Sequence, residues 1–93
     1  MMTIEIRNNE QFAFLSADYD QIFLNEYIDG LSDRQACLAL RRSIGMAPEV
    51  VVTTAWGRDK IMAAILSSSN PIKSITWGRE GYLNKVVIRR NFP

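Results

Sequence analysis

Apolar positions change their spacing several times along this chain, and each change marks a predicted element. Ile4 and Ile6, then Phe12 and Phe14, alternate with polar or small residues on either side of Asn8-Asn9-Glu10. That period of two predicts a pair of short strands joined by a turn. From Tyr19 to Asp29 the residues Tyr19, Ile22, Phe23 and Tyr27 recur at helical intervals, with Ser16 or Asp18 placed to cap the first turn and Gly30 to end the last. A second helix is expected at once. Ser32-Asp33-Arg34-Gln35 has the form of a capping box, whose end side chains satisfy each other's free backbone N–H. Ala36, Cys37, Leu40 and Ile44 continue it as an apolar stripe, and Gly45 is placed to stop it in the left-handed conformation. With only Gly30 and Leu31 between them, the two helices read as a helical hairpin.

Beyond Pro48 the pattern changes to Val50-Val51-Val52-Thr53-Thr54, a run of β-branched residues that suits a central strand buried on both faces. Arg58 to Ser68 returns to helical spacing through Ile61, Met62, Ile65 and Leu66, and Ser67-Ser68-Ser69-Asn70-Pro71 ends it. Ile72–Trp77 and Tyr82–Arg90 read as strands, with Gly78-Arg79-Glu80-Gly81 as the hairpin loop between them. The segment 56–71 is long enough for a crossover through a helix. The resulting expectation is an α+β fold, a small mixed β-sheet with two to three helices packed on one face, in the order β-β-α-α-β-α-β-β. No repeat or low-complexity linker divides residues 1–93, so they read as a single domain.

Composition adds mainly exclusions. The chain has no histidine, which removes Ser-His-Asp and Cys-His nucleophiles and the His-Glu-x-x-His metal helix. Cys37 is the only cysteine, so an internal disulfide is impossible, and its apolar neighbours mark it as a small core residue. No Gly-x-Gly-x-x-Gly, phosphate-binding Gly-x-x-x-x-Gly-Lys-Ser/Thr or acidic calcium loop occurs, so no cofactor and no metal are expected. The longest uncharged stretch, Ile61 to Ile72, is 12 residues, short of the ~20 that span a bilayer. The first residues lack the basic-then-apolar form of a secretory signal, and a cytoplasmic location is expected.

Net charge is +1, but it is unevenly placed. Residues 1–49 carry four arginines against eight acids, and residues 50–93 carry seven bases against two acids. Within the basic half Trp-Gly-Arg followed by an acid occurs twice, as Trp56-Gly57-Arg58-Asp59 and Trp77-Gly78-Arg79-Glu80. Arg58, Arg79, Tyr82, Lys85, Arg89 and Arg90 are therefore the candidate partner-binding residues, since cations interleaved with rings serve both nucleic-acid stacking and protein interfaces. An ordinary structural reading stands beside this one. Trp77 and Tyr82 would flank the hairpin loop as a cross-strand aromatic pair, and the basic residues would solvate a sheet edge.

Two further constellations bear on function. Leu40, Ile44, Gly45, Met46 and Val51 resemble a helix-turn-helix, with Pro48-Glu49 opening the recognition helix. Arg41 occupies a position where crossing helices need a small residue, however, and the valine-threonine run favours a strand. Asp18 and Asp20 have the spacing of an acid and base pair, but their place at a predicted helix start suits capping.

Three function classes remain: an interaction protein, a direct nucleic-acid binder, and a small enzyme built on carboxylate, lysine or tyrosine groups. The first leads by elimination. In size and type the chain resembles small proteins carried by phages and other mobile elements, including anti-CRISPR and anti-restriction inhibitors. That resemblance implies a non-enzymatic protein that sterically blocks a larger protein or ribonucleoprotein complex. Direct nucleic-acid binding, through the basic-aromatic half or the helix-turn-helix-like segment, is the alternative.

Overall fold

The β-branched run forms the middle strand of a five-stranded sheet. Valine and threonine lose little freedom in extended backbone, and every residue from Val50 to Thr54 finds cover. The structure, a computed structural model, describes residues 3–6, 19–25 and 33–91. These form β1 (Thr3–Ile6), β2 (Gln21–Asn25), α1 (Asp33–Met46), β3 (Glu49–Thr54), α2 (Arg58–Leu66), β4 (Ile72–Glu80) and β5 (Leu83–Arg90). Their order in the sheet is β1-β2-β3-β5-β4. The first three strands are parallel, and β5 runs antiparallel between β3 and β4. The chain leaves β3 through α2 and enters β4 one place further out, and β5 returns from the hairpin to fill the gap. The fold is α+β with a mixed sheet, as expected, and holds two helices among the described residues.

Alternation along the strands sends Ile22, Leu24, Val50, Val52, Val86 and Ile88 to the face covered by the helices. Leu40 and Ile44 of α1, with Ile61 and Ile65 of α2, close over them. Each such aliphatic side chain contributes about 1.5–3 kcal/mol when fully removed from water. Cys37 packs against this cluster as a small apolar residue. Ser43 and Thr54 are polar members of the buried face: the Ser43 hydroxyl donates to the Ala39 carbonyl at 2.9 Å inside its own helix, and Thr54 Oγ1 accepts from the Trp56 N–H.

Residues 21–25 correct the sequence reading, which placed a helix over 19–29. Ile22-Phe23-Leu24 is a short apolar run whose spacing fits either element, and the choice is made by β1 and β3, which supply ladder partners on both sides. Asp20 therefore precedes a strand and is not a helix cap. The strand expected around Phe12 and Phe14, the caps Ser16, Asp18 and Ser32, and Gly30 lie outside the described residues.

Gly45 also departs from expectation. It lies inside α1, which continues to Met46, and the Ala47 N–H closes the last turn on the Ser43 carbonyl at 3.2 Å before Pro48 leaves the helical path. With Gly45 helical and 49–54 extended there is no recognition helix, so the helix-turn-helix resemblance fails. The hairpin is tighter than expected: Glu80 pairs with Leu83, leaving Gly81-Tyr82 as a two-residue turn. Gly81 has φ +62°, the left-handed value such a turn takes at its first position. Trp77 consequently faces Val86, not Tyr82.

No helix among the described residues is long and apolar enough to cross a membrane. Replacing Ile65, which joins α2 to the sheet, by alanine is expected to lower stability by about 2–5 kcal/mol. Chemical denaturation checks this as a lower midpoint at unchanged slope.

Candidate functional site

The sheet face opposite the helices carries the other set of alternating residues. Asn25, Thr53 and Lys85 share one register row across β2, β3 and β5, and Phe23, Val51 and Val87 form the next. The first row lies at the carboxyl ends of β2 and β3, where open α/β sheets receive ligands. Here a cleft of about 540 Å³ is lined by Phe23, Asn25, Val51, Thr53, Leu83 and Lys85 and rimmed by the turn Glu80-Gly81-Tyr82.

Thr53 is 4% exposed, and its hydroxyl takes no partner among the described residues. The hydroxyl is not among the fully buried unpartnered atoms, so it keeps its access to the cleft and is free to bond a molecule bound there. The Lys85 ammonium beside it is exposed and has no carboxylate partner among the described residues. The Asn25 amide is held by the Glu5 carboxylate of β1 at 2.7 Å. Tyr82 stands 81% exposed on the rim, and its carbonyl accepts from Arg79 Nη2 at 3.4 Å.

On the helix side the two Trp-Gly-Arg segments meet. The Arg58 guanidinium lies over the Trp77 ring at 4.9 Å, and Lys60 lies over Trp56 at 4.3 Å. The loop from β3 to α2 is fixed from both ends: the Trp56 N–H donates to Thr54 Oγ1 at 3.2 Å, and Asn84 Nδ2 donates to the Trp56 carbonyl at 2.7 Å.

The six candidate residues therefore do not share one surface. Arg58 and Arg79 sit on the helix side near the turn, Tyr82 is in the turn itself, and Lys85 is on the opposite face. Arg89 and Arg90 are at the far end of β5 and are committed elsewhere. Arg89 Nε donates to Glu49 Oε2 at 2.8 Å, while Gln21 occupies the other oxygen. Arg90 bonds the Asn70 side chain and the Gly45 carbonyl, each at 3.0 Å, tying the end of α1 to the segment before β4.

Of the sequence candidates Tyr82 and Lys85 border this cleft, and Phe23, Asn25 and Thr53 were not among them. The available signal was the change from valine to threonine at the carboxyl end of the central run, where a strand reaches its polar rim.

No protein-family model matches the chain, and no curated protein matches it. Among solved structures it is similar to magnesium protoporphyrin IX methyltransferase from Synechocystis PCC 6803 with bound SAM, at a TM-score of 0.60 and 13% identity. The likeness covers 83% of this chain and 42% of that one, so the chain spans under half the length of the protein it matches. At that identity it establishes the fold alone, and the fold is one an enzyme carries. This overturns the expected non-enzymatic inhibitor of anti-CRISPR type, because the likeness points toward an enzyme fold.

Removing the Asn84 side chain tests how the site is held. Asn84→Ala is expected to cost about 1–2 kcal/mol and to shift tryptophan emission to the red as the Trp56 loop loosens, both read in a denaturation series followed by fluorescence.

Proposed function

We propose that the chain works in methyl transfer, as the portion of a methyltransferase-type sheet that carries the acceptor cleft. The observation that supports this most is the likeness over 83% of the chain to a methyltransferase. The position of the cleft, at the carboxyl ends of parallel strands, accords with it.

The described residues do not fit a resident SAM. A nucleoside cofactor in such sheets lies against a glycine-lined turn, where a side chain would obstruct its approach to the backbone. Gly57, the glycine in the turn from β3 to α2, stands alone between Trp56 and Arg58 and lacks the second and third glycines of such a turn. The part we assign to β2, β3 and the hairpin is to seat the acceptor. A cleft that sets a few polar groups beside apolar side chains holds a small molecule in one orientation toward the reacting atoms.

The test uses lysate of host cells lacking this protein, supplied with SAM labelled in its methyl group. Adding the purified protein is expected to restore a labelled small-molecule product, and Tyr82→Ala to restore it about 2- to 10-fold more slowly, the range of one aromatic contact. A labelled-product profile that is the same with and without the protein removes the reading.

A further inference from the structure

We infer that the cleft binds a singly charged aromatic carboxylate, its ring over Phe23, Val51 and Leu83 and its carboxylate shared between the Thr53 hydroxyl and the Lys85 ammonium. The ligand's role as acceptor rests on the methyl-transfer reading, whereas its binding does not.

The floor sets the body of the ligand. Phe23, Val51 and Leu83 line part of the cleft beside the polar groups of Asn25, Thr53 and Lys85, so the ligand that suits it has an apolar body and a polar end. Tyr82 adds an exposed ring at the rim, carried on a turn whose glycine already holds its left-handed conformation. A flat aromatic ligand covers that ring with little ordering left to do.

The polar groups set its charge. Thr53 and Lys85 are direct cross-strand partners, which places their Cβ atoms about 5 Å apart. A hydroxyl donor and an ammonium donor at that separation reach the two oxygens of one carboxylate. Among the described residues Lys85 is the one cation lining the cleft, Glu80 on the rim is an anion, and the Glu5 carboxylate is already taken up by the Asn25 amide. One positive charge against a nearby carboxylate accommodates a monoanion and repels the second charge of a phosphate monoester.

Titration calorimetry of the purified protein with 2-naphthoate, 2-naphthamide and 2-naphthyl phosphate tests this. Naphthoate is expected to bind at least about 10-fold more tightly than either analogue, as for a charge-assisted hydrogen bond. Lys85→Met should weaken naphthoate binding about 10-fold, and Thr53→Val about 3- to 10-fold, with naphthamide nearly unaffected by the lysine change. Lys85 is exposed, so its variant keeps the fold and carries the test even if Thr53→Val does not. Equal binding of acid and amide, preference for the phosphate, no binding of naphthoate, or a Lys85→Met protein that binds it normally would each overturn the inference. Naphthoate binding that responds to Lys85→Met without any methyl transfer in lysate would confirm the site and remove only its role as acceptor. Methyl transfer without carboxylate binding would retain the reaction and reject this ligand class.

Discussion

The structure depends on the register of β3, which is held in parallel by β2 and in antiparallel by β5. Strand side chains alternate strictly, so the pairing that places Val50 and Val52 under the helices also places Val51 and Thr53 on the other face. A slip of one residue would exchange Val50 and Val52 for Val51 and Thr53 under the helices and take the cleft apart in the same movement. The hydrophobic core and the candidate site are thus two consequences of one set of backbone hydrogen bonds, and selection for stability protects the geometry of the cleft without acting on it directly.

Much of this was legible in residue order, because some segments satisfy only one kind of structure. Five successive β-branched residues suit nothing but a strand, and Ile61, Met62, Ile65 and Leu66 bounded by serines and a proline suit a helix. The segment around Ile22 was different. Its apolar run is short enough to fit either period, and its strand state comes from neighbours distant in sequence. Phe23 and Asn25 were lost as site residues for the same reason, since a helical reading scatters them around an axis where a strand sets both on one face. Gly45 shows a related limit. Glycine often ends helices, but here α1 runs on to Met46, and what Gly45 contributes is its carbonyl, which accepts from the Arg90 guanidinium.

The basic half of the chain was visible as composition, but what each cation does was not. Arg89 is neutralised by Glu49, Arg90 joins two ends of the chain, and Arg58 lies on a tryptophan ring. Lys85 differs from them in facing the cleft beside an unpaired hydroxyl. Counting charges by sequence half pointed to a macromolecular partner, whereas following each charge to its neighbour leaves Lys85 on the cleft and spreads the others over different parts of the molecule.

One detail of β4 governs how the molecule behaves when crowded. Among the described residues this strand has a neighbour on one side only, and a long open strand is a template on which another chain can add. At Lys73 the ladder skips a residue, with Ile72 opposite Arg90 and Ser74 opposite Arg89. The skip bends the strand and increases its local twist. An incoming strand would lose step there and meet a lysine, so the outer rim of the sheet resists growth into a fibre.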